Sequence, residues 1–118
     1  MSSSDASIRV EEYPNAFAYV IEGSLAGPET IETISEDVKA APVPNIILVL
    51  DDVDYINSTG FAAIVMLANN LEDLGKELYV VGLHKKVQVV FESLGGTQML
   101  NIVPTLEEAL SKVAGEKK

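Results

Sequence analysis

Residues 45–75 read NIILVLDDVDYINSTGFAAIVMLANNLEDLG, and the changes of pattern within them set the fold class. Ile46-Ile47-Leu48-Val49-Leu50 is an unbroken run of branched and apolar residues, the signature of a central strand covered on both faces. Asp51, Asp52 and Asp54 follow in a stretch that reads as a solvated loop and leads through Tyr55 and Ile56 to a polar step, Asn57-Ser58-Thr59-Gly60. Beyond it, Phe61, Ile64, Val65, Ala68, Leu71 and Leu74 share broadly one side of a helix, with Asn69, Asn70, Glu72 and Asp73 toward solvent. Gly75 is placed to close that helix as a C-cap.

Outward from this unit the same alternation continues. Leu78-Tyr79-Val80-Val81 predicts the next buried strand, and Val87, Val90, Phe91 and Leu94 stand at helical spacing from Lys85 until Gly95-Gly96 stops them. A short strand at 100–103 and a helix at 105–113 complete that side. On the N-terminal side, SIRVEE (7–12) and AFAYVIE (16–22) flank Tyr13-Pro14-Asn15 and predict a hairpin, which Gly23 interrupts. From Pro28, Ile31, Ile34 and Val38 lie at helical spacing with acids in the first turn, and the helix is expected to end near Ala41, before Pro42 and Pro44. A hairpin followed by alternating strands and helices predicts an α/β layer structure with a mixed sheet and no internal repeat.

Composition narrows the function classes. A chain of 118 residues, 47% apolar, is the size of one domain with one ordinary core. No apolar run approaches the roughly 20 residues that cross a bilayer, and residues 1–7 lack the order of a secretory signal, so a cytoplasmic protein is expected, without direct membrane insertion. There is no cysteine, which excludes disulfides, thiolate metal sites and thiol catalysis. Eight basic against eighteen acidic residues give a net charge of −10, which repels phosphate backbones; Lys85-Lys86 is too small a cluster to reverse it. Nucleic acid is not an expected partner.

Catalytic and metal chemistry find little to work with. His84 is the only histidine and reads as a cap or loop residue. No phosphate-binding loop motif occurs, and Leu94-Gly95-Gly96 follows a helix where a dinucleotide loop would precede one. Asp51, Asp52 and Asp54 lack the glycine and glutamate that would continue a calcium loop. No cofactor or metal is expected. What remains is Asn57-Ser58-Thr59-Gly60, between a buried strand and a long helix. A Ser or Thr oxygen here can cap the helix, worth about 1 kcal/mol, and a hydroxyl at this end could equally accept a phosphate near free amides and the positive end of the dipole.

The set of motifs resembles the core of the STAS domain, the sulfate transporter and anti-sigma factor antagonist family. The likeness runs over about 8–114 and rests on the buried strand with its acidic sequel, the D-S-[ST]-G-like Asn57-Ser58-Thr59-Gly60, the helix ending at Leu74-Gly75, Val81-Gly82-Leu83, and the closing Thr105-Leu106-Glu107-Glu108-Ala109-Leu110. The resemblance implies a single STAS domain over 8–114; a flexible 1–7 and a frayed tail at 115–118, GEKK, are expected at its two ends. It implies a sheet of four or five strands, about four helices packed to one side, and no catalytic activity. In the antagonists of this family a partner kinase phosphorylates the first hydroxyl of the motif, here Ser58, with Thr59 as the alternative acceptor. The partner-binding set this implies is Asn57, Ser58, Thr59, Gly60, Phe61, Ser24 and Ala26.

Two positions depart from the family pattern: Asn57 stands where an aspartate is usual, and Ala26 where the antagonists commonly carry an acid. The expected function is that of an anti-sigma factor antagonist acting by partner exchange on an anti-sigma factor serine kinase and switched off at Ser58. Two alternatives stay open: a constitutive scaffold or structural subunit, stressosome-like or in a lipid-transport ABC complex, and a homodimeric state.

Overall fold

β3 (Asn45–Ile56) lies at the centre of a five-stranded sheet of order β1-β2-β3-β4-β5, in a computed structural model that describes residues 6–115. β1 (Ser7–Tyr13) and β2 (Ala16–Leu25) form the expected antiparallel hairpin, while β2, β3, β4 (Glu77–Val81) and β5 (Asn101–Val103) run parallel. α1 (Glu29–Val38), α2 (Ser58–Asp73), α3 (Lys85–Ser93), α4 (Gly96–Met99) and α5 (Leu106–Gly115) supply the crossovers and the C-terminal cover. The segment expected to be flexible overlaps β1 at Ser7, and its residues 1–5 lie outside those described. Of the expected tail, Gly115 ends α5 and 116–118 lie outside as well.

Side chains of successive strand residues point to opposite faces, so one sheet carries two apolar layers. Tyr19, Ile21, Ile46, Leu48, Leu50, Leu78 and Val80 face α1, α2 and α3; Ala18, Val20, Ile47, Val49, Tyr79 and Val81 face Ala109 and Val113 of α5. The helices are therefore not all on one side, as the resemblance implied. A run such as Ile46–Leu50 needs cover on both faces, and α5 provides the second.

Three further boundaries differ from the sequence expectation, each for a local reason. Gly23, at φ 112, does not end β2 but sits at an irregularity in its register, and the strand continues to Leu25. Likewise Asp51–Ile56 is strand, not loop: it pairs with residues 22–25 of β2, with Val53 and Ile56 buried between exposed acids. β4 pairs with β3 only as far as Val49, so this upper part is a two-stranded ribbon projecting past the sheet. Between Gly95, which stops α3 at φ 81, and β5 the chain forms α4, a four-residue turn too short to carry periodicity.

α1 keeps its predicted face, Ile31, Ile34 and Val38, but ends at Val38. Turn bonds from the N–H groups of Ala40 and Ala41 to the carbonyls of Asp37 and Val38 finish it, and Lys76 Nζ donates to the carbonyls of Ala41 and Val43 at 2.9 and 2.6 Å. Tyr19 is buried under α1 and its hydroxyl donates to the Asp37 carboxylate. Burial first, and then the Asp37 hydrogen bond and charge, hold this phenol well above its ordinary value. A raised folded-state value contributes stability that is present below about pH 10, the unfolded value, and lost as pH rises past it. Urea unfolding between about pH 8 and 11 should show a steeper loss of stability for wild type than for Tyr19→Phe; equal slopes would assign the alkaline loss elsewhere.

Candidate functional site

The top of the ribbon positions the site. β3 leaves the sheet at Ile56, the chain turns at Asn57, and α2 runs back down over the sheet from Ser58. Asn57 is the N-cap: its Oδ1 accepts from the Gly60 N–H at 2.9 Å, and its carbonyl accepts from the Phe61 N–H at 2.9 Å. Its Nδ2 donates to the Ala26 carbonyl at 2.8 Å, and its N–H reaches the Leu25 carbonyl at 3.4 Å. One side chain thus caps α2 and ties it to the end of β2. A carboxylate could make the cap but could not donate to Ala26, which gives the unusual asparagine a physical role here.

The capping role weighed for the Ser or Thr hydroxyl therefore belongs to Asn57. Ser58 is the first helical residue, exposed, and its hydroxyl makes no hydrogen bond among the described residues; Thr59 is exposed as well. Their two amides belong to the first turn, which has no partners within the helix, and no acid lies in that turn. Asn57→Ala should lower stability by about 0.5–2 kcal/mol, with Asn57→Asp losing less because it keeps the cap. Chemical denaturation would measure both, and an unchanged Asn57→Ala would remove the tie from the account.

Gly60 explains why the helix can start where it does. A Cβ built there would lie 2.2 Å from the Leu25 carbonyl oxygen and 3.2 Å from Ile56 Cγ1, so α2 crosses β2 at backbone contact. Phe61 points inward, 5% exposed, with its ring edge-to-face on Phe91 at 5.2 Å and 89°. Phe61 and Gly60 offer a partner no surface of their own; they fix the loop from below. Ser24 braces the ribbon, its hydroxyl donating to Asp54 at 3.3 Å. The structure thus brings Asn57, Gly60 and Ala26 into one bonded unit and leaves Ser58, Thr59 and Ala26 at the surface.

A groove of about 210 Å³ begins at Thr59 and runs between α1 and α2, lined among others by Pro28, Ile31, Glu32, Ala62 and Met66. Met66 is 63% exposed, an apolar side chain on the solvent stripe of α2. The sequence reading missed this feature. Its signal lay in the stripe Thr59, Ala62, Met66, Asn70, spaced three or four residues apart, where a methionine is out of place among small and polar neighbours. The buried face of α2 is also turned from the expected one: Ala63 and Leu67 are buried, while Leu74 is 51% exposed. His84 begins α3 at the back of the ribbon, with Nε2 2.5 Å from the Val53 carbonyl. No group of metal-ligating residues and no helix long and apolar enough to cross a membrane occurs among the described residues.

The chain resembles several solved structures. It aligns with an anti-sigma factor antagonist from Mycobacterium paratuberculosis at a TM-score of 0.81 and 18% identity, covering 93% of this chain and 95% of that one. Alignment with the phosphorylated form of the Bacillus cell fate determinant SpoIIAA gives 0.67 and 18%, covering 91% and 99%. With the STAS domain of a SulP transporter from Vibrio cholerae the values are 0.70 and 21%, covering 90% and 86%. At these identities the likeness establishes the shared fold. No curated protein sequence matches. The sequence model of the STAS domain matches residues 7–109, nearly the whole chain, and the chain belongs to the STAS domain family.

Proposed function

We propose that this protein is an anti-sigma factor antagonist without catalytic activity, which binds an anti-sigma factor serine kinase and is released when that kinase phosphorylates Ser58. The observation that carries the reading is the division of labour at the start of α2: Asn57 caps the helix, and the neighbouring Ser58 hydroxyl is exposed and spends no hydrogen bond on the fold. A hydroxyl held at a fixed place yet free of structural duty can be modified without unfolding the domain. Relatives of the same fold include an anti-sigma factor antagonist and a protein known in a phosphorylated form, which supports the assignment.

The switch has to act locally. A phosphate adds about −1.5 to −2 charge, small against the −10 the chain already carries. Moving an equilibrium from 1:99 to 99:1 takes about 5.5 kcal/mol. A charge forced unpaired into an interface costs about 2–5 kcal/mol or more, so the loop beside the groove is where the phosphate must act. Incubation with the cognate serine kinase and ATP should place one phosphate on Ser58 by peptide mapping. Label confined to Ser24, Ser35 or Ser93 would overturn the assignment, and label on Thr59 would move it by one residue.

A further inference from the structure

We propose that the outer edge of β1 pairs antiparallel with β1 of a second copy, about a two-fold axis through Val10. The sheet order ends at β1, so among the described residues no strand covers that edge. Tyr13 and Ala16 close the two-residue turn of the hairpin and form its last pair. The pair closing such a turn exchanges main-chain hydrogen bonds, and along an antiparallel ladder bonded pairs alternate with unbonded ones. Ser7, Arg9, Glu11 and Tyr13 therefore turn their main-chain groups toward β2, and Ile8, Val10 and Glu12 turn theirs outward.

A two-fold axis permits few registers, and charge selects among them. Centring on Arg9, Glu11 or Glu12 places two like charges directly opposite each other, which destabilises a cross-strand pair. Centring on Ile8 leaves half of the strand without a partner residue. Centring on Val10 pairs all seven residues: Val10 with Val10, Ile8 with Glu12, Ser7 with Tyr13, and Arg9 with Glu11 twice. The two Arg9–Glu11 pairs fall at unbonded positions, where opposing side chains are closest. Charges on an edge strand commonly block pairing; here their order makes the strand complementary to itself.

Side-chain exposure agrees with this register. Val10 is 41% exposed, at the centre of the strand, and Arg9 and Glu11 already meet on one face of β1 at 3.2 Å. A groove of about 460 Å³ lined by Ile8, Val10, Tyr19 and Ile34 opens beside the same edge, so the two-fold sets two apolar grooves near each other. A pair of seven-residue strands is smaller than a permanent interface, and each copy carries −10, so the association is weak. The joined sheet would carry its two Ser58 loops at opposite ends, both open, and so present two sites to a multivalent partner.

Sedimentation velocity from about 10 µM to 1 mM on the whole chain tests the proposal. The weight-average mass of wild type should rise across that range from near the monomer mass toward twice it. Arg9→Glu should weaken the association by at least about tenfold, and the double variant Arg9→Glu/Glu11→Arg should restore it. Val10→Lys should abolish it by placing two ammonium groups at the axis. All three side chains lie at the strand's surface, and circular dichroism would verify that each variant is folded. Wild type that stays monomeric to about 1 mM, a dimer indifferent to Arg9→Glu, or a charge swap that fails to restore it would overturn the proposal.

Discussion

Ser58→Glu is expected to weaken binding to the anti-sigma factor partner by at least about 30-fold, while Ser58→Ala binds within a few fold of wild type. The lower bound is the fold-change that corresponds to about 2 kcal/mol, the small end of the cost of an unpaired charge in an interface. Stability should barely move in either variant, by about 0.5 kcal/mol or less, because the Ser58 side chain is exposed and Asn57 supplies the cap. A carboxylate at the first helical position also interacts favourably with the helix dipole. Titration against the partner, paired with thermal melts, separates the two quantities. Ser58→Glu binding like wild type would remove the charge switch from the account.

Gly60→Ala should be the most damaging substitution at the site. The added methyl meets the Leu25 carbonyl oxygen at 2.2 Å and its carbon at 3.1 Å, and both are backbone atoms of a paired strand that cannot rotate aside. Overpacking of this kind costs about 1–3 kcal/mol, a fall in Tm on the order of 5–15 °C in a domain of this size. Relief requires α2 to move off the ribbon, and Ser58 moves with it. Binding should therefore fall even where the protein is still folded. Gly75→Ala is the matched control: it sits at φ 76 with nothing within 4 Å of its added carbon. It should lose about 1–2 kcal/mol to backbone strain and leave binding of the folded protein unchanged. If the two alanine variants bind alike, the contact at Gly60 does not position the site.

How far these features could be read from the sequence depends on whether a local pattern encodes them. Ile46–Leu50 reads as a doubly covered strand because all five residues are apolar, and Gly75 reads as a helix stop because its left-handed backbone is a local property. Its N–H and that of Lys76 bond back to Glu72 and Leu71, as a glycine-terminated helix requires. The strand character of Asp51–Ile56 was hidden because acids dominate its composition, and only pairing with residues 22–25 across the ribbon makes it a strand. Asn57 illustrates the same limit at the site. Its polarity marks a helix start, yet its bond to Ala26 joins residues 31 apart, and no spacing rule reports that. Phe61 reads as part of the apolar face of α2, yet the resemblance put it among the partner-binding residues, and its edge-to-face contact with Phe91 of another helix, which holds it in the core, is nothing a local pattern reports.

The most direct test of the central claim is the affinity of the protein for the proposed anti-sigma factor serine kinase before and after treatment with that kinase and ATP, with the modified residue located by mass spectrometry. The account predicts tight binding before treatment, a single phosphate on Ser58 after it, and loss of binding in proportion to the phosphorylated fraction. Stoichiometric phosphate on Ser58 with undiminished binding would contradict it.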